Sequence, residues 1–227
     1  MAKKISIAID GPAASGKSTT ARLLAEKLGY IYIDTGAMYR AATLAVLRSG
    51  INIADEKAVE KCVKANQIVI RVQDGKQHTF LNEEDVTEQL RTPAINRAIS
   101  AISSYKGVRE IMVAQQRRLA VDGGVVMDGR DIGTVVLPHA ELKVFLVASL
   151  EERARRRLKE LKSQNARVTL QEVMEEIRRR DSLDASRSQA PLKQADDARL
   201  LDTTTLNIEE QVAKIYQWAR EIIEKRL

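Results

Sequence analysis

The stretch that most restricts this chain is Gly11-Pro12-Ala13-Ala14-Ser15-Gly16-Lys17-Ser18, which joins the apolar run Ile5–Ile9 to the helix-prone Thr19–Leu28. Small residues at this spacing let the backbone wrap so that successive N–H groups converge on an anion at the N-terminus of the next helix. A lysine after the second glycine reaches the β- and γ-phosphates, and the hydroxyl that follows reaches Mg²⁺. Gly11 to Thr19 is therefore expected to hold the phosphates of ATP, with Lys17 as the reaching cation and Ser18 on the metal. Such a loop belongs between a strand and a helix at the carboxyl edge of a parallel sheet. An α/β core with helices on both faces follows, and the remaining strands have to be found elsewhere in the chain.

Tyr30–Ile33 reads as a second short strand, and Asp34-Thr35-Gly36-Ala37-Met38-Tyr39-Arg40 turns from it into a helix running to about Ser49. A strand, a small polar turn and a helix place Thr35 and Arg40 on the same rim as the phosphate loop. The plainer reading is a helix start capped by Asp34 or Thr35. Val125–Met127 is another apolar run, ending at Asp128-Gly129-Arg130-Asp131, with Asp128 where a carboxylate would face the Mg²⁺ shell rather than merely close a strand. Leu142–Val147 and Arg199–Asp202 supply further strands, and Ile208–Leu227 an amphipathic closing helix with Val212, Ile215, Trp218 or Ala219, and Ile222 inward.

The middle of the chain breaks this rhythm. After a helix over Asp55–Ala65, the runs Ile68–Val72 and Gln77–Leu81 flank Asp74-Gly75, which signals a hairpin. Asn82–Val86 adds a third strand, and a helix follows from near Pro93 to Ser103. An antiparallel patch is foreign to a doubly wound core, so residues 66–103 are assigned to an insertion within one domain spanning 1–227. Helix resumes over Tyr105–Val121. Later, Glu151–Lys162 is a charged helix with Arg153, Arg155, Arg156 and Arg157, and Thr169 with Glu172 opens a second helix to about Asp184. This helical hairpin reads as a lid at about 153–167, hinged near Ser163–Ala166, with Arg156 and Arg157 reaching the donor phosphates; a solvated charged face is the alternative.

The single Cys62 excludes an internal disulfide and a thiolate zinc site, and His78 and His139 stand apart. Cys62 is expected in helix packing. No apolar stretch is long enough to cross a bilayer and no leader precedes Ile5, so a cytoplasmic protein is expected. The net charge of +6 raises the question of a nucleic-acid partner, yet only 4% of residues are aromatic and the arginines of Glu151–Glu160 interleave with acids. A small, highly anionic substrate accounts for the excess without nucleic acid or membrane. A GTPase is excluded, because neither N-K-x-D nor D-x-x-G occurs.

Phosphoryl transfer depends mainly on positioning and charge neutralisation, which cations provide. Arg40, Arg109, Arg130, Arg180 and Arg187 fall at strand ends or on the helices beside the lid, and helical spacing sets Arg180, Asp184 and Arg187 on one face. A phosphate acceptor, with a second pKa of about 6, is nucleophilic at neutral pH without a dedicated base. An alcohol acceptor stays open as the alternative, with Asp34, Asp128 or Asp131 as its base.

Over nearly its whole length the chain resembles the bacterial cytidylate kinases of the P-loop nucleoside monophosphate kinase group. The resemblance rests on Ile7-Ala-Ile-Asp-Gly-Pro12 with its loop, Asp34–Arg40, Asp128–Thr134, Arg180-Asp181 and Arg187. It implies a monophosphate-binding insertion and transfer from ATP with Mg²⁺ to CMP or dCMP, by a monomer. By motif, Arg40, Arg130 and Arg187 would hold the acceptor phosphate, while Thr35, Arg109 and Asp131 would read the base. Ser100, Arg180 and Asp184 would contact the ribose, and Lys17, Arg130, Arg180 and Arg187 would carry the catalysis.

Overall fold

The computed structural model describes residues 4–73, 76–163, 167–187 and 190–226. Its core is a five-stranded sheet in the order β2-β6-β1-β7-β8, formed by Ser6–Asp10 (β1), Ile31–Asp34 (β2), Val125–Gly129 (β6), Leu142–Val147 (β7) and Arg199–Asp202 (β8). Every pairing is parallel. β1 shows why both faces are covered. Ile5, Ile7 and Ile9 point to one side, where Lys17–Leu28 (α1) and Ile208–Glu224 (α8) bury Leu24, Ile215 and Ala219. Ala8 points to the other, against Ile33, Met127 and Val113 of Lys106–Leu119 (α5). Alternation sends successive side chains to opposite faces, and apolar residues in both sets make a doubly covered strand. On α8, Ala219 takes the buried position and Trp218 packs at its margin.

The insertion is the expected antiparallel patch, Ile68–Gln73 (β3), Lys76–Leu81 (β4) and Glu84–Asp85 (β5), followed by Pro93–Ile102 (α4). The Asp74-Gly75 turn lies outside the described residues. The patch shares an apolar cluster with Thr35–Arg48 (α2), Glu56–Ala65 (α3) and α5, through Ile68, Leu81, Val46, Val59 and Met112. Gln77 Oε1 accepts from the Asp34 amide at 2.8 Å, tying the patch to the end of β2. Cys62 is buried on α3, as expected of a packing residue.

Leu150–Ser163 (α6) and Leu170–Ala185 (α7) form the helical hairpin, held by Ala154, Val173 and Ile177. Thr169 and Glu172 make the capping box that opens α7. Residues 164–166, most of the hinge expected between them, lie outside the described residues. Among the described residues no helix is long and apolar enough to cross a membrane.

Candidate functional site

Because β1 lies between β6 and β7, the loop leaving it is flanked by the ends of both neighbours. Gly11 turns off the sheet at φ 149°, where an added Cβ would lie 2.1 Å from the carbonyl oxygen of Leu146. Only glycine passes. α1 begins at Lys17, two residues before the expected Thr19, with Gly16 as its N-cap at φ 94°. Lys17 and Ser18 thus stand in the first turn, where main-chain N–H groups lack helical partners and the dipole favours an anion. The loop is stapled from behind: Arg153 donates to Ala13 O and Ala148 O and pairs with Asp181 at 2.6 Å, while Thr20 Oγ1 donates to Gln211 Oε1 at 2.9 Å.

Lys17 is buried, and its Nζ donates to Pro12 O at 2.7 Å. Burial and the nearby Arg130 push its pKa well below the usual lysine range. Across the cleft Asp128 accepts from Ser18 Oγ at 2.8 Å and from Tyr32 OH at 2.9 Å. Burial and the neighbouring Asp34 push the Asp128 carboxyl up. A hydroxyl and a carboxylate in contact form a hard-oxygen pair, and Mg²⁺ characteristically takes one or two such protein ligands and completes its shell with phosphate and water. The pair fits that ion.

The acceptor side is built on α2, α5, α7 and the turn after β6. Asp34 caps α2 through Ala37 N at 3.0 Å, and Thr35 Oγ1 donates to Asp128 O at 2.7 Å. Arg40 donates to Asn96 Oδ1 at 2.6 Å. Arg109 and Asp131 form an ion pair in which both residues are only 5% exposed. Asp184 bridges Arg130 at 2.8 Å and Arg187 at 2.7 Å, one carboxylate oxygen to each. Burial, with Arg91 beside Arg40 and Arg130 beside Arg180, pulls both guanidinium groups down to about 10. Both remain charged at neutral pH. Cations that depress one another in this way are stabilised by an arriving anion.

Lys17, Thr35, Arg40, Arg109, Arg130, Asp131 and Asp128 line one cleft of about 310 Å³, together with Ser100, Arg157, Arg180, Asp184 and Arg187. Of the two lid arginines, only Arg157 faces it. Arg156 turns behind the loop, donating to Ser15 O at 3.3 Å and Thr203 O at 2.6 Å, since adjacent helical residues point to different sides. Arg153, placed by the sequence in the lid helix without a contact of its own, is the buried staple. Asp10 also went unassigned; its carboxylate accepts from Ile132 N and Gly133 N. The available signal was an acid closing an apolar strand directly before the loop. Ile132–Val136 forms a single wide helical turn, too short to leave a periodic pattern in sequence.

A family model described as cytidylate kinase matches residues 7–221. A curated protein named cytidylate kinase from Bacillus licheniformis is 51% identical over 227 residues, covering 100% of this chain and 99% of that one. One of the same name from Bacillus subtilis is 51% identical over 218 residues, covering 96% and 97%. Among solved structures, an uncharacterized protein from Eubacterium ventriosum aligns with a TM-score of 0.53 at 10% identity, over 96% of this chain and 99% of that one. That likeness concerns the fold alone.

Proposed function

The chain belongs to the cytidylate kinase family, and from that premise we propose how its cleft divides between two nucleotides. The enzyme is an ATP-dependent nucleoside monophosphate kinase that transfers the γ-phosphoryl group of ATP to CMP or dCMP, giving ADP and CDP or dCDP. The observation that carries the division is one cleft lined both by the donor-loop residues Lys17 and Ser18 and by Arg130, Asp131 and Arg109.

In this reading Gly11–Thr19 cradle the donor phosphates with their amides, and Lys17 leaves Pro12 O to reach the β- and γ-oxygens. Mg²⁺ would be held by Ser18 and Asp128, where it would supply positive charge to offset that of the donor phosphates. Tyr32 keeps the Asp128 carboxylate turned toward Ser18. Arg40, Arg130 and Arg187 hold the acceptor phosphate, whose oxygen attacks in line; Arg180 with Lys17 neutralises charge building on the transferred group. Arg109 and Asp131 read cytosine, with Thr35 supporting them, and Asp184 and Ser100 meet the ribose. The insertion at 66–103 closes over the monophosphate. The lid at about 153–167 closes over the donor phosphates, with Arg157 as the lid arginine that faces the cleft while Arg153 and Arg156 bond to the core. One chain supplies both halves of the cleft, which supports a monomer as the working unit, acting in the cytoplasm.

A coupled ADP-release assay with ATP and Mg²⁺ against CMP, dCMP, UMP, AMP and GMP, with sugar alcohols as controls, tests this reading. CMP and dCMP should give the highest kcat/KM. Equal turnover of an alcohol would overturn the phosphate-acceptor assignment.

A further inference from the structure

Asp10 is 5% exposed and closes β1, one residue before the phosphate loop leaves the sheet. One of its oxygens accepts from Ile132 N at 2.8 Å and the other from Gly133 N at 2.7 Å, across 122 and 123 residues of chain. These amides open the turn Ile132–Val136, whose later N–H groups, from Val135 and Val136, return to Asp131 O. They have no carbonyl of their own turn to bond, so Asp10 caps the turn from another strand.

A carboxylate is an expensive cap. Burial pushes Asp10 up to about 6, and the two amides and Lys17 only partly offset it. Among the described residues no ion pair includes Asp10. Elsewhere this chain caps helices with the neutral Thr92, Thr169 and Asn207 or with carboxylates that keep contact with solvent, Asp34 half-buried and Asp55 exposed. A hydroxyl accepts at one oxygen, whereas a carboxylate grips two amides at once and fixes the plane of the turn. What that turn presents is Asp131, whose backbone at φ −145° and ψ 28° belongs to neither helix nor strand, and Arg130 before it. Resting on the division of the cleft given above, we propose that Asp10 is a positioning residue: by gripping Ile132 and Gly133 it aims Asp131 and Arg130 at the acceptor, and so sets preference for cytosine from the root of the donor loop.

The deciding variant is Asp10→Asn, which keeps size and one acceptor oxygen but turns an NH₂ toward the second amide. Expected are an about 10- to 100-fold fall in kcat/KM for CMP, a matching drop in the CMP to UMP ratio, and a KM for ATP within about twofold of the parent. Amide exchange at Ile132 and Gly133 should quicken, while the melting temperature at pH 7 holds or rises because a buried charge has gone. A variant that unfolds, that loses ATP and CMP affinity alike, or that keeps its cytosine preference overturns the proposal. Asp131→Asn run alongside separates the two layers of argument. If it too leaves base preference untouched, the assignment of Asp131 has failed; if it relaxes preference and Asp10→Asn does not, only the positioning role falls.

Discussion

Replacing Asp131 by asparagine tests the acceptor site where it is most exposed to refutation. Asp131 and Arg109 are each 5% exposed, and the guanidinium lies 5.9 Å from the centre of the Tyr39 ring. Burial raises the Asp131 carboxyl even against the pull of Arg109, so the charged pair is held at a cost in desolvation. Asparagine keeps an oxygen for Arg109 and gives up the charge. The lost charge-assisted bond costs about 1.5–3 kcal/mol, partly returned because one fewer ion is buried. Binding changes more than stability. Cytosine offers a 4-amino donor with acceptors at N3 and O2, matching a carboxylate and a guanidinium, whereas uracil presents an oxygen and an N3 proton to the same two groups. Mispairing in a buried site can discriminate by about 10⁴, or about 5.5 kcal/mol. The asparagine amide can turn its NH₂ to the uracil oxygen. We expect kcat/KM for CMP to fall about 10- to 100-fold while UMP gains, collapsing the ratio. The assay is coupled ADP release at saturating ATP with each acceptor, with urea melts to show that the variant is folded. Equal loss of both acceptors, or comparable kcat/KM for CMP and UMP in the parent, refutes the reasoning.

Lys17→Ala should lower kcat at least about 10²- to 10³-fold without lowering the melting temperature, since it removes a buried cation that Arg130 opposes; turnover near that of the parent would contradict the donor loop. Gly11→Ala places a Cβ 2.1 Å from Leu146 O at φ 149°, so a loss of at least about 1–3 kcal/mol and of ATP binding is expected by urea unfolding and calorimetry; wild-type behaviour would mean that the loop can retreat from β7. The Asp10 carboxyl, raised from 3.8 to about 6, keeps a proton in the folded state that the unfolded chain has lost, so stability falls as pH rises from about 4 to 6. Its full share is about 3 kcal/mol at 1.36 kcal/mol per pH unit, of which about 2 kcal/mol falls between pH 4.5 and 6.5, where subtracting urea melts of Asp10→Asn from those of the parent isolates it; superimposable pH profiles would refute the shift.

The sequence alone determined whatever is settled within a few residues. The glycines at 11 and 16, the lysine after them, the Thr169–Glu172 capping box, the β3–β4 pairing and the apolar runs of the core strands all record neighbours along the chain. Placing Thr35, Arg40 and Asp128 on one rim also needed no coordinates, because parallel strands carry ligands at their carboxyl ends. Strand order was another matter. No local signal states that β1 inserts between β6 and β7, yet that order brings Asp10 against Ile132 and Ser18 against Asp128 across 110 residues. The burial of Arg153 against Ala13, and the turning of Arg156 to Thr203 and away from the cleft, follow from how α6 docks on the loop. A run of arginines looks the same in sequence whether each faces solvent, substrate or a carbonyl. Only packing distinguishes them, because the partner that satisfies a buried guanidinium is chosen by distance in space and not by distance along the chain.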